Sequence, residues 1–161
     1  MNIWELNVKM EKFKKHQLTK SQCLYVFILT TFFVVSANVS LSKIVTIEYT
    51  ESDSYSLEVA SIDVGDTVKW IPKNEGHNVE FFAGPKMNNL PPKSEIDKLH
   101  SIVFHDAGVY LYGCTPHADM GMIGLIIVGG DFHNLEKISN FRMSRVASSV
   151  LRRLIKNAKR N

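Results

Sequence analysis

The sequence predicts an all-β fold: a two-sheet Greek-key sandwich, followed by C-terminal α-helices and preceded by an N-terminal signal segment. Three observations carry that prediction. Between Lys43 and Gly130, short apolar or alternating segments recur, separated by Gly, Asn, Asp and Pro, the pattern of strands joined by turns. Beyond Asp131 the apolar residues switch to helical spacing,. Charge divides at the same place: residues 38–131 hold 6 Lys/Arg against 13 Asp/Glu, and residues 132–161 hold 8 against 1.

The elements follow in order. Lys43–Tyr49 and Leu57–Ile62 read as the first two strands, the first alternating through Ile44, Thr46 or Ile47, then Tyr49. The turn Val64-Gly65-Asp66 leads into Thr67–Pro72, and Asn74-Glu75-Gly76 into His77–Phe82,. Residues 83–97, rich in Pro, Asn and Gly, read as a long loop. His100–Phe104, Val109–Gly113 and Met122–Val128 complete the sandwich, assigned to 43–130. The segment 131–161 reads as a helical extension. A short helix covers Asn134–Ser139, and a longer one covers Met143–Lys159, with Val146, Val150, Leu151, Leu154 and Ile155 on one face,. Its other face carries Arg145, Arg152, Arg153, Lys156, Lys159 and Arg160. The expectation is an apolar stripe packed on the sandwich beneath a solvated basic face; docking of that face on a membrane or an acidic partner is the alternative.

Residues 1–37 read as a signal peptide. Five lysines between Lys9 and Lys20 precede the apolar run Cys23–Val35, and Val35-Ser36-Ala37 offers small residues for cleavage,. The run is 13 residues long, short of the roughly 18–20 needed to span a bilayer. An uncleaved anchor stays open as the other reading, as does a start at Met1 or at Met10. Cleavage after Ala37 would remove Cys23 and leave Cys114 as the single cysteine. No internal disulfide is then possible, and a lone thiol in an oxidising compartment is either buried or bound.

That cysteine opens Cys114-Thr115-Pro116-His117-Ala118-Asp119-Met120-Gly121-Met122, a loop between two expected strands. Cys114, His117 and Met122 offer a thiolate, an imidazole and a thioether, a soft mixed set that suits copper, which takes His₂Cys with a weak axial Met in electron-transfer sites. A second histidine has to come from elsewhere, and His77, opening a strand after a turn, is the candidate. Structural zinc takes four Cys/His ligands and leaves the thioether idle. A Cys–His nucleophile needs an orienting group that the motif does not supply. Plain packing of a buried cysteine remains the competing reading at this level. His100, His105 and His133 read as surface or structural residues.

The stretches Val64-Gly65-Asp66-Thr67-Val68, Gly76-His77-Asn78-Val79-Glu80, Gly108-Val109-Tyr110, Cys114-Thr115-Pro116-His117, Met120-Gly121-Met122, Leu125–Gly129 and Asn134-Leu135 resemble the cupredoxins, the type 1 blue copper proteins. Among them the C-terminal helices point to the pseudoazurin group. The resemblance implies one type 1 copper with His77, Cys114 and His117 as strong ligands and Met122 as axial ligand. It gives Asn78 the task of tying the ligand loops together. Pro116 removes a backbone donor beside the thiolate, and Met120 is expected to pack beneath the loop. The implied function is a periplasmic, monomeric, non-enzymatic carrier of single electrons, exchanging them through His117 with redox proteins such as a nitrite reductase or a c-type cytochrome. No nucleic acid is implied. A copper store or chaperone, or the same carrier tethered by its N-terminal segment, are the alternatives. Family docking faces are apolar with a lysine rim; Pro85, Pro116, Ala118 and Met120, rimmed by Lys73, Lys86 and Lys93, are the candidates here. Asp119 departs from that pattern by placing a negative charge in the ligand loop.

Overall fold

A computed structural model describes residues 41–160; the signal-segment reading, with Cys23, lies outside them. Seven strands form two sheets. β1 (Ile44–Glu48), β3 (Thr67–Ile71) and β5 (His100–Val103) make one, in the order β1-β3-β5. β2 (Val59–Ile62), β7 (Ile123–Val128), β6 (Gly108–Gly113) and β4 (Glu80–Ala83) make the other, in the order β2-β7-β6-β4. The chain changes sheet at every connection until β6, which pairs directly with β7. β1 therefore lies parallel to β3, and β2 parallel to β7, as Greek-key crossovers between layers require. Among the described residues no helix is long and apolar enough to cross a membrane.

The alternation read in the sequence reappears as burial. Along β3, Val68 and Trp70 point inward, and along β1 and its extension Ile47 and Tyr49 do. Ile44, expected inward, is 55 % exposed, because inward positions of β1 must share the parity of Ile47. The layer between the sheets is aromatic: Trp70, Phe81, Tyr112, Phe104 and Tyr110 meet mostly edge to face, with Tyr55 tilted against Tyr112, the geometry their quadrupoles favour.

β6 and β7 are buried at every residue. One face lies in the sandwich; the other is covered by α1 (Leu135–Ser139) and α2 (Arg145–Ala158). That double burial is why Met122–Val128 reads as an uninterrupted apolar run. Ala147, Leu151, Leu154 and Ala158 form the buried arc of α2, and Val146, assigned to it from the sequence, is 54 % exposed. The two alanines set the arc closer to Leu151 and Leu154 than the large apolar residues alone suggest. Buried Asn134 joins this layer to the sheet, accepting from Val109 N at 2.8 Å and donating to Val109 O at 2.7 Å. The packed helix agrees with a solvated basic face, and Arg153 grips Glu58 with both guanidinium nitrogens at 2.6 and 2.8 Å.

Candidate metal centre

Pairing register brings three connections to one end of the sandwich. Glu80 at the start of β4 faces Gly113 at the end of β6, and Gly113 faces Ile123 at the start of β7. The turn before β4 and the β6–β7 loop therefore meet. Glu48 pairs with Ile71, so the turn after β1 arrives at the segment leading from β3 to His77.

β4 begins at Glu80, three residues after the expected His77. His77, Asn78 and Val79 instead form a buried lead-in shaped by Gly76 at φ 88° and clasped by the long loop. Asp97 accepts from Gly76 N at 2.7 Å and His77 N at 3.1 Å, and its own N–H donates to His77 O at 2.9 Å. Ser94 exchanges two hydrogen bonds with Val79, each 2.9 Å. The segment Cys114–Met122 closes on itself: Cys114 N donates to Met122 O at 3.0 Å, Ala118 N to Cys114 O at 2.7 Å and Met122 N to His117 O at 3.2 Å. A single 3₁₀ turn, Ala118–Met120, fits between them.

The donors converge. His77 Nδ1 lies 3.7 Å from Cys114 Sγ, His117 Nδ1 lies 3.6 Å from it, and the two ring nitrogens are 3.0 Å apart. Among the described residues this is the group of Cys, His and acidic side chains close enough to share a metal ion. His77 Nε2, the ring nitrogen away from this cluster, faces Asp53 at 3.5 Å. Burial pushes the His77 imidazole below its ordinary pKa, reinforced by the neighbouring His117 and opposed by Asp53 and Asp97, which favours the neutral ring that a metal ion needs. Burial likewise pushes the Cys114 thiol up, against the backbone amides of Asn78 and His117. A bound cation inverts that balance and deprotonates the thiol outright. The donor set therefore fits a soft metal ion. Met122, 2 % exposed, is held by its backbone to both Cys114 and His117.

Asn78 ties the His77 segment to the Cys114 loop. Its Oδ1 accepts from Thr115 N at 2.7 Å and its Nδ2 donates to Thr115 Oγ1 at 2.9 Å. Thr115 donates onward to Glu80 at 2.7 Å, and Lys93 donates to Glu80 at 3.2 Å. These two bonds hold the Glu80 carboxyl below its usual range, Thr115 contributing more. Thr115, Glu80, Ser94, Asp97 and Asp53 carry no ligand motif, and sequence reading passes over them. A Thr directly after Cys114, and an acid two residues after Asn78, are the available signals for the first two.

The expected docking residues scatter. Met120 does not pack beneath the loop: it is 61 % exposed, because the 3₁₀ turn points it outward. Pro116 and Asp119 are exposed beside it, while Ala118 is buried. Lys93 and Lys73 sit near this end, paired with Glu80 and Glu48. Pro85 and Lys86 do not join them. Pro85 packs beside Gly108 and Lys86 pairs with Asp106 at 2.6 Å, at the opposite end of β6 from Cys114. His100 and His133 do not join the donor cluster, the first lying against Pro92 O and the second against Asp131.

Known proteins share this architecture. The family of copper binding proteins of the plastocyanin/azurin type matches residues 44–129, and the chain belongs to it. Within that family the likeness runs to pseudoazurins. The chain is 32 % identical over 88 residues to the pseudoazurin of Methylorubrum extorquens, covering 54 % of this chain and 60 % of that protein. To the pseudoazurin of Paracoccus pantotrophus it is 31 % identical over 100 residues, covering 60 % and 69 %. A pseudoazurin-type protein of Rhizobium leguminosarum bv. viciae is 41 % identical over 91 residues, 56 % of this chain and 58 % of that one. The chain thus spans less than two thirds of the Rhizobium and Methylorubrum relatives. The crystal structure of pseudoazurin from Methylobacterium extorquens AM1 superposes with a TM-score of 0.65 at 25 % identity, covering 71 % of this chain and 98 % of that one.

Proposed function

We propose that the protein is a blue copper electron carrier of the pseudoazurin kind. The observation that carries this is the meeting of two imidazole Nδ1 atoms and a thiol within 3.7 Å of one another. His77, Cys114 and His117 would hold the ion with their imidazoles and thiolate, and Met122 would add a weaker thioether donor. Copper held there supplies a one-electron couple. The chain's own residues do the rest. Asn78 and Thr115 fix the two ligand segments against each other, so that little reorganises on electron transfer. His77 and Cys114 are sealed from water, and His117, partly exposed, is the exit for electrons. A closed, buried thiolate favours retention of the ion over its transfer to another protein, and the site binds no substrate to turn over.

The pseudoazurin likeness and the lysine-rich leader with its apolar run support a periplasmic carrier. Its partners are redox proteins, a nitrite reductase or a c-type cytochrome. Pro116, Met120 and Asp119 with Lys73 and Lys93 form the docking face; Pro116 also keeps a backbone donor away from the thiolate. The test is the visible spectrum of copper-loaded protein. We expect an intense thiolate-to-copper charge-transfer band that vanishes in Cys114→Ser, and a colourless wild-type protein would overturn the reading.

A further inference from the structure

The turn after β1 does more than connect strands. Tyr49 and Tyr55 close it as an antiparallel bridge, and Thr50 N donates to Ser54 O at 2.9 Å. Inside it the hydroxyls of Thr50 and Ser54 meet at 2.6 Å. Both stems rest on the His77 segment: the Tyr49 ring packs edge-on to the imidazole at 5.7 Å, and Tyr55 Oη donates to Asn78 O at 2.9 Å. At the tip, Asp53 adopts φ 48°, a left-handed conformation that Asp tolerates better than most residues. The result is a carboxylate held 3.5 Å from Nε2 of a histidine whose side chain is 3 % exposed. Asp97, the other acid at this ring, is committed to the backbone amides of Gly76 and His77.

We propose that Asp53 is a positioning residue for the metal centre, acting through His77. Its carboxylate fixes the Nε2–H tautomer, aims the Nδ1 lone pair inward and makes the imidazole a stronger donor, as outer partners of ligating histidines do. A stronger donor and a nearby negative charge both favour the higher oxidation state, so Asp53 holds the reduction potential down. The proposal rests on the assignment of His77 as a ligand.

The experiment compares copper-loaded wild type, Asp53→Asn and Asp53→Ser by voltammetry at one pH and ionic strength, with Glu51→Gln as a control that removes a charge from the same turn. Both Asp53 variants should keep the charge-transfer band. Asp53→Asn should raise the equilibrium constant for reduction about tenfold, which is about 59 mV for one electron, and Glu51→Gln should raise it far less. In metal-free wild type, nitrogen NMR should find the His77 proton on Nε2, and in the variants a tautomer mixture. Unshifted potentials in still-blue Asp53 variants, an equal shift in Glu51→Gln, or a wild-type proton on Nδ1 would each overturn the proposal. A wild type without the band would instead remove the ligand assignment beneath it. Should a variant not fold, the wild-type tautomer still decides.

Discussion

Asn78 and Asp66 show how much single polar residues hold here. Asn78, 1 % exposed, satisfies Thr115 N and the Thr115 hydroxyl across 37 positions of sequence. Asn78→Ala removes two hydrogen bonds to the Thr115 segment, each worth about 1 kcal/mol; the urea midpoint of metal-free protein should fall accordingly. Asp66, also buried, accepts from Lys43 N at 2.7 Å and Asp63 N at 3.0 Å. Those amides, Lys43 first, hold its carboxyl below the usual range. A depressed carboxyl contributes stability that is complete above its unfolded-state pKa, about 3.9, and lost as pH falls through the folded value. Asp66→Asn should therefore be less stable than wild type at pH 7, with the gap closing on acidification below about pH 4. Urea midpoints across that range test it; a pH-independent gap would refute the account. The VGDTV motif marks Asp66 in the sequence, but its partner Lys43 lies a strand away and no local pattern names it.

Among the elements, α2 bears directly on the loop Cys114–Met122. Its N-cap Ser144 accepts from Ala147 N at 3.1 Å and donates to Asp119 O at 2.5 Å. One hydroxyl thus caps the helix and closes the 3₁₀ turn between His117 and Met122. Ser144→Ala should cost about 1 kcal/mol from the cap, read from the thermal midpoint, and Ser144→Thr should restore most of it. Gly121 makes the second contact. At φ 105° with Val150 Cγ2 3.0 Å from where a Cβ would stand, it accepts no side chain without moving the helix or the loop. Gly121→Ala should lower metal affinity more than Ser144→Ala does, and equal affinities by competition titration would count against this coupling. Helical periodicity located α2, but its contact with a ligand loop more than twenty residues upstream belongs to packing.

For the molecule as a whole, the helical segment is the missing face of a sheet. Val109, Leu111, Ile123, Leu125 and Ile127 are at most 1 % exposed because α1 and α2 cover them. Exposed apolar patches of that kind drive association. A chain ending at Gly130 should bind hydrophobic dyes and aggregate, and a soluble, dye-silent truncation would show that the sandwich stands alone. Charge is arranged on the same scale, with the sandwich segment at −7 and the helical segment at +7 between residues 38 and 161. Such a dipole orients approaching partners, so electron-transfer rates should change with ionic strength over the range where the Debye length falls below about 10 Å. Rates indifferent to salt would show that charge does not steer.

Strand segments, the helical tail and the donor types are legible along the chain, because periodicity and donor chemistry are local properties. Cys114, His117 and Met122 stand within one loop, and Gly76-His77-Asn78 carries its own motif. Which residues surround them follows from packing. Asp53, Asp97 and Glu80 reach the centre through register and loop return; Met120 turns outward, and Pro85 with Lys86 falls at the far end. Each of these depends on pairings between segments distant in sequence, and a side chain's neighbours across a sandwich leave no trace in its own stretch of chain.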